Sequence, residues 1–120
     1  MAVELGKTER QRKIMEELKK IAQDFFQRNS SGVSLITVTA TDVTRDLRHA
    51  NIFITVLPEN KEKAALDFAY RMRSDLRTDI KKRLPIRTIP FVEVKIDEGE
   101  KVRQNIELIL VKDKLRTKPE

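Results

Sequence analysis

The chain contains only three glycines, and none of them lies between Gly32 and Gly99. Loops that hold nucleotide phosphates need several glycines within a few residues, because only bare backbone can approach the phosphate closely. Neither a Walker loop nor a dinucleotide-binding loop can therefore form in this stretch. The 120 residues fit a single domain, for which we predict a core at about residues 8–112 and a flexible basic tail at 113–120.

Hydrophobic spacing predicts the order of the secondary-structure elements, and Thr8 and Gln11 form the pattern of a capping box ahead of the first helix. The predicted elements are a helix at about 9–28, strands at about 33–40 and 51–57, a helical region at about 60–84, a strand at 91–96 and a helix at about 100–112. The first two strands can pair antiparallel, and the helical crossover brings the third into the same sheet. The prediction is an α+β sandwich with a three-stranded sheet and helices on one face.

Side-chain periodicity predicts the faces of these elements. The residues predicted to share one face are Ile36, Val38 and Ala40 in the first strand and Ile52, Ile54 and Val56 in the second. In the long helical region, a projection at about 100° per residue gives one buried stripe. That stripe consists of Phe68, Met72, Leu76 and Ile80. The two flanks of the stripe are then free to carry charge.

The formal net charge of +6 favours a polyanionic partner such as nucleic acid. The excess is concentrated between Lys61 and Arg87, where nine Lys and Arg residues face four Asp and Glu residues. One flank of the helical stripe carries Arg73, Arg77 and Lys81, and the other carries Asp75 and Asp79. Like charges one turn apart repel by a few tenths of a kcal/mol, so a polyanion would relieve the repulsion within the basic row. We predict that the row contacts RNA; the alternative is a solvated helix face.

Other basic residues extend the candidate RNA-binding set. Arg83 falls within the projected stripe, so we expect the helix to deform or end just before it and to leave Lys82 and Arg83 pointing outward. Arg45 in the strand connection is a secondary candidate that could equally pair with Asp42 or Asp46. Cations at the start of the first helix should add positive potential, and these are Lys7, Arg10, Arg12 and Lys13. The predicted RNA-binding residues are Arg73, Arg77, Lys81, Lys82, Arg87, Arg45, Arg48 and Arg10.

The sequence offers no residue set for catalysis or metal binding. It has no cysteine and a single histidine, His49, and its neighbours in the sequence supply no metal-ligand pattern. Asp42 and Asp46 lie in a strand-to-loop segment, where aspartate commonly forms turns. No apolar run approaches the roughly 18 residues of a membrane span. We predict a cytoplasmic binding protein that is not an enzyme, does not contact the membrane and uses no metal or cofactor.

Several segments occur in an order and spacing that strongly resemble the ribosome-binding factor A family. The segments are the strand Val33–Val38, the connection Asp42–His49 leading into Asn51–Val56, the Arg-x-x-Pro entry Arg87–Pro90 into the last strand, and the basic lead-in Gly6–Arg10. No single segment is diagnostic, but their order and spacing together are. The resemblance covers nearly the whole chain, from about Leu5 to Leu110.

The resemblance implies a type II KH fold, in the order α-β-β-α-kink-α-β with a C-terminal helix. Members of this family have a helical kink, usually Ala-x-Gly, where other KH domains have a glycine clamp for single-stranded RNA. The kink is expected near residues 72–74, or near 69–71 by a competing alignment, and neither place has a glycine. Short unstructured oligonucleotides should therefore bind weakly, and folded RNA is the expected ligand.

The resemblance also implies a function and partners. Proteins of this kind bind the immature small (30S) ribosomal subunit and assist late maturation of its rRNA, including 5′-end processing and adaptation to cold. We expect a monomeric assembly factor that contacts small-subunit rRNA, with release by a ribosome-associated GTPase as a further expectation. Two alternatives stay open: a stand-alone KH-like module acting on other structured RNA, and a protein–protein adaptor that uses the open sheet face or the C-terminal helix.

Overall fold

The computed structural model describes residues 6–29, 34–104, 106 and 110. Its elements are α1 (Glu9–Arg28), β1 (Leu35–Val43), β2 (His49–Leu57), a 3-10 turn (Glu59–Lys61), α2 (Glu62–Arg71), α3 (Arg73–Arg83) and β3 (Phe91–Ile96). Residues 98–104 are also helical, and the predicted tail at 113–120 lies outside the described residues. The predicted order of elements is confirmed. Within the described part of the chain, no helix is long and apolar enough to cross a membrane.

The sheet has the strand order β1-β2-β3, with β1 antiparallel to β2 and β3 parallel to β2. Helix α1 packs mainly on β1, and α2 packs on β2 and β3. The predicted inner face of β2 is confirmed, because Ile52, Ile54 and Val56 are all buried in one hydrophobic core with residues of α1, α2 and α3. Burial of such side chains stabilises the fold by about 1.5–3 kcal/mol each.

A β-bulge in β1 changes the face predicted for the second half of that strand. The pairing register with β2 shifts between Val38 and Ala40, so Thr39 is inserted and the alternation moves by one residue. Thr41 and Val43 are buried after the bulge, whereas Ala40 pairs with Phe53 on the other face. The prediction for Ala40 was therefore wrong, and β1 runs three residues beyond its predicted end.

The first turn of α1 is fixed to the end of β1. The predicted capping box is present: Gln11 N donates to Thr8 Oγ1 at 3.1 Å, and Thr8 N donates to Gln11 Oε1 at 3.0 Å. Gln11 Nε2 also donates to the carbonyl oxygen of Val43 at 3.1 Å. The Gln11 side chain, which is only 3 % exposed, therefore satisfies the backbone of Thr8 ahead of α1 and the backbone of Val43 in β1 at once.

The predicted kink lies at Met72, whose backbone angles (φ −93°, ψ 7°) separate α2 from α3. The break changes the helical phase, so one continuous stripe does not form. The buried residues are Ala65 and Ala69 before the kink and Leu76 and Ile80 after it. Phe68 and Met72, which the projection placed in the stripe, are only partly buried.

We predict that Gln11→Ala lowers the free energy of unfolding by about 1–2 kcal/mol, because it removes half of the capping box and one bond to Val43. The unfolding midpoint should fall by roughly 5 °C in a thermal melt followed by circular dichroism. Gln27→Ala on the exposed side of the same helix is the control and should change stability by less than about 0.5 kcal/mol. Equal midpoints for the two variants would contradict this account of how α1 docks.

Candidate nucleic-acid interface

The basic row predicted from the sequence lies along the exposed side of α3. Arg73, Arg77 and Lys81 are all exposed. The Arg73 guanidinium stacks on the ring of Tyr70 at 3.9 Å and donates to the Tyr70 carbonyl oxygen at 2.7 Å, which fixes its orientation. Arg77 reaches the carbonyl oxygen of Ile89 at 3.4 Å. Among the described residues, no carboxylate pairs with any of the three cations, so all can still bind an anion.

The opposite side of α3 faces α1 through ion pairs. Asp79 pairs with Arg28 at the end of α1, and Asp24 lies 3.0 Å from both Arg28 and Arg83. Hydrogen bonds to Asp79 and, to a lesser extent, to Asp24 raise the pKa of the Arg28 guanidinium above its ordinary value. Asp79 is thereby paired with α1, and the flank of α3 that carries Arg73, Arg77 and Lys81 keeps no acidic partner among the described residues.

The prediction that the helix deforms or ends before Arg83 was wrong, although Arg83 is exposed as predicted. Helix α3 runs through Arg83 to a cap at Leu84, and the Arg83 side chain pairs with Asp24. The helix does not need to end, because the long Arg83 side chain on its last turn reaches Asp24 on α1 and stays partly in solvent. Lys82 is exposed, as predicted, and has no acidic partner in the described part of the chain.

A second group of arginines lies in the connections that adjoin the end of the sheet where β2 and β3 begin. The Arg48 carbonyl oxygen accepts a hydrogen bond from Phe91 N at 2.7 Å, so the β1–β2 turn adjoins the start of β3. Arg87 is exposed just ahead of that point, and Arg77 reaches the same segment through Ile89. The structure therefore brings α3 and the strand connections together, which spacing along the sequence does not show.

The turn that carries Arg45 and Arg48 is held by Asp46. Asp46 Oδ1 accepts hydrogen bonds from Thr44 Oγ1 at 2.7 Å and from Arg48 N at 3.1 Å. The hydrogen bond from the Thr44 hydroxyl, and to a lesser extent the one from the Arg48 amide, lowers the pKa of the Asp46 carboxyl below its ordinary value of 3.8. Arg45 pairs with no acidic residue among those described. Of the two alternatives for Arg45, the structure thus favours an unpaired, exposed cation.

Lys7 differs from the other cations near the start of α1. Its ammonium group lies 2.8 Å from Asp42 Oδ1 and donates to the Val43 carbonyl oxygen at 2.9 Å, and its side chain is only 18 % exposed. The expectation that Lys7 adds external potential was wrong, since Lys7 joins α1 to β1. Arg10 and Arg12 are exposed without acidic partners in the described residues, and Lys13 lies 3.8 Å from Glu9.

Comparison with known proteins identifies the family. The family model for ribosome-binding factor A matches residues 8–110. The chain belongs to the ribosome-binding factor A family. The family's protein from Natranaerobius thermophilus is 36 % identical over 93 residues, covering 75 % of this chain and 71 % of its own. The one from Brevibacillus brevis is 35 % identical over 101 residues, covering 82 % of this chain and 84 % of its own.

Solved structures of the family share the fold. The crystal structure of ribosome-binding factor A from Thermus thermophilus matches with a TM-score of 0.62 and 21 % identity, over 70 % of this chain and 92 % of its own. A homology model of the Thermus thermophilus factor, fitted into the cryo-EM map of a 30S–RbfA complex, matches with a TM-score of 0.59 and 22 % identity, over 66 % and 86 %. The predicted KH-like fold of the α+β class is confirmed.

We predict that the turn responds to pH through Asp46. Because the pKa of Asp46 is lowered in the folded state, its carboxylate stabilises the turn at pH values above the ordinary pKa of 3.8. This stabilisation is lost as the pH falls through the lowered pKa. An NMR titration should show the Arg48 amide shift following the Asp46 carboxyl. Thr44→Val removes the hydrogen bond that lowers the Asp46 pKa most, and should therefore raise that pKa toward 3.8. An unchanged Asp46 pKa in that variant would refute this explanation.

Proposed function

We propose that this protein binds the immature small (30S) ribosomal subunit in the cytoplasm and assists late maturation of its rRNA, including the 5′ end. It acts as a monomer, by binding and not by catalysis. The observation that carries the proposal is a set of exposed cations, which we call the basic surface: Arg73, Arg77, Lys81 and Lys82 on α3, Arg45, Arg48 and Arg87 in the strand connections, and Arg10 on α1. Membership of the ribosome-binding factor A family supports it, as does the 30S complex of the Thermus thermophilus factor.

The basic surface suits the phosphates of folded RNA. Its cations come from separate elements that the core holds together, so they can meet phosphates on a shaped surface and release counterions on contact. Arginine adds a planar fork that can hold one phosphate through two hydrogen bonds. Arg73 is already oriented by its stack on Tyr70, which lowers the entropy lost when it binds.

The kink at Met72 argues against tight binding of short single strands. A glycine clamp works because bare backbone can touch the phosphates of the strand. Here the residue between α2 and α3 carries a methionine side chain that is partly buried. Recognition by shape and charge follows, and both are properties of a folded subunit. A role in cold adaptation and release by a ribosome-associated GTPase belong to the same proposal and rest on the family resemblance alone.

The proposal predicts a specific salt dependence. Arg77→Gln should weaken binding to immature small subunits and reduce the slope of log K against log salt by about one unit, because one phosphate contact is lost. Folding should change by less than about 0.5 kcal/mol, since Arg77 is exposed. Asp75→Asn, which lies on the other flank of α3, is the matched control and should leave the slope unchanged. The measurement is subunit binding across a salt series.

Identical slopes for wild type and both variants would show that the basic row is only a solvated face. Sucrose-gradient sedimentation then separates the alternatives. The proposed assembly factor should sediment with free small subunits. A stand-alone module for other structured RNA should spread over many RNAs, and a protein–protein adaptor should keep its association after RNase treatment.

A further inference from the structure

The first residues of β2 and β3 place two exposed aromatic side chains next to each other. His49 and Phe91 are partners in the parallel register of the two strands, and their ring centroids lie 6.2 Å apart at an interplanar angle of 67°. Both side chains are exposed, and Phe91 is 54 % exposed. Unlike the aromatic residues of the core, this pair presents ring surface that a planar ligand can cover.

The two rings lie on the outer face of the sheet, opposite the helices. Successive side chains of a strand point to opposite faces, and the next residues, Ala50 and Val92, are buried in the core that the helices cover. Because β3 has a free edge, Phe91 also borders a cleft lined by residues of α2, α3 and β3, whereas His49 does not line it. The aromatic pair therefore belongs to the outer face.

Arginines adjoin the aromatic pair on the side of the strand connections. The Arg48 carbonyl oxygen accepts a hydrogen bond from Phe91 N at 2.7 Å, so the turn that carries Arg48 and Arg45 lies beside the ring. Arg87 lies four residues ahead of Phe91. Arg45 and Arg87 have no acidic partner among the described residues, and the Arg48 guanidinium lies 3.9 Å from Asp46. A phosphate can therefore be bound at this end of the pair.

On the other side of the pair, the next row of the outer face carries hydrogen-bonding groups. Asn51 and Glu93 are register partners two residues beyond His49 and Phe91, a separation of about 6.5 Å, which is close to the length of a base. Asn51 is half-buried, whereas Glu93 is exposed and lies 3.8 Å from Lys95. The Asn51 amide donates and accepts hydrogen bonds, and the Glu93 carboxylate only accepts them. Such groups can bind the edge of a base, and the carboxylate keeps phosphate at the opposite end.

The order of these groups matches one nucleotide. Cations lie at one end, aromatic rings in the middle and hydrogen-bonding groups at the other end, and a nucleotide presents its phosphate, base face and base edge in the same order. A base-paired duplex keeps the faces of its bases stacked inside, so only an unpaired base can cover the rings. An apolar protein surface fits less well, because it would remove the flanking charges from water without pairing them.

We infer that the outer face at His49 and Phe91 holds one unpaired base of the small-subunit rRNA by stacking. The phosphate of that nucleotide would lie toward Arg48 and Arg87, and the edge of its base toward Glu93. A carboxylate acceptor favours adenine, cytosine or guanine, which carry an exocyclic amino group, over uracil. The inference rests on the proposed function, because the base belongs to the RNA to which the basic surface binds.

Stacking predicts a loss of affinity without a change in salt dependence. Phe91→Leu keeps an apolar side chain but removes the ring, and should weaken binding to immature small subunits at least about fivefold. Phe91→Tyr keeps a ring and should bind within about twofold of the wild type. The slope of log K against log salt should be the same for both variants, because neither removes a charge. Circular dichroism checks that both variants fold.

Fluorescence reports the base directly, because the chain contains no tryptophan. Phe91→Trp therefore introduces a single reporter, and a base stacked on its indole should quench at least about half of the emission when immature small subunits bind. Leu35→Trp is the matched control. Leu35 is 61 % exposed and pairs with Leu57 on the same face at the opposite end of β2, so its replacement should keep most of its emission.

The outcomes separate this inference from the proposed function. Wild-type affinity of Phe91→Leu, unquenched emission from Phe91→Trp, or equal quenching of both tryptophan variants would overturn the inference while sedimentation with subunits persists. A blue shift of the Phe91→Trp emission without loss of intensity would show an apolar protein surface at this place, and would overturn it as well. Failure of the unmodified chain to sediment with small subunits would instead overturn the proposed function, and the inference with it.

Discussion

Burial of Leu76 and Ile80 fixes the rotation of α3 about its axis, and the placement of the charges on that helix follows from it. Each buried side chain contributes about 1.5–3 kcal/mol, whereas an exposed ion pair contributes about 0–1 kcal/mol, so the apolar contacts decide the orientation. Arg77 follows Leu76 by one residue and therefore lies about 100° to one side of the core. Asp79 precedes Ile80 and lies about 100° to the other side, where it meets Arg28. The core thus places the row of Arg73, Arg77 and Lys81 on one flank of α3 and Asp75 and Asp79 on the other.

The kink at Met72 confines this division of the charges to α3. Because the helix breaks at Met72, α2 can bury two alanines close to the sheet while α3 buries larger residues against α1. Small residues on α2 let the helix approach β2 and β3 closely, and a cleft lined by residues of α2, α3 and β3 lies where the two helices meet. One backbone change therefore produces both a basic surface on α3 and an apolar cleft beside β3.

Much of this could be predicted from the sequence, and the errors have physical causes. Element order, the inner face of β2 and the kink follow from periodicity, which is a local property of the chain, and from the family resemblance. The bulge at Thr39 could not be predicted, because it depends on pairing with β2 and on the Thr39 hydroxyl reaching Asp97 Oδ2 at 2.5 Å. Lys7 and Arg83 were misassigned because their partners, Asp42 and Asp24, are distant in sequence. The free edge of β3 depends on strand order, which spacing does not reveal.

The central claim is that the exposed side of α3 contacts rRNA, and differential labelling of lysines tests it most directly. Acetylation of the free chain and of the chain bound to small subunits would be compared by mass spectrometry. Lys81 and Lys82 are exposed on α3, and Lys19 is exposed on α1 outside the basic surface, so Lys19 is the internal reference. The account predicts that binding protects Lys81 and Lys82 several-fold and leaves Lys19 reactive. Protection of Lys19 with unchanged reactivity of Lys81 and Lys82 would contradict it.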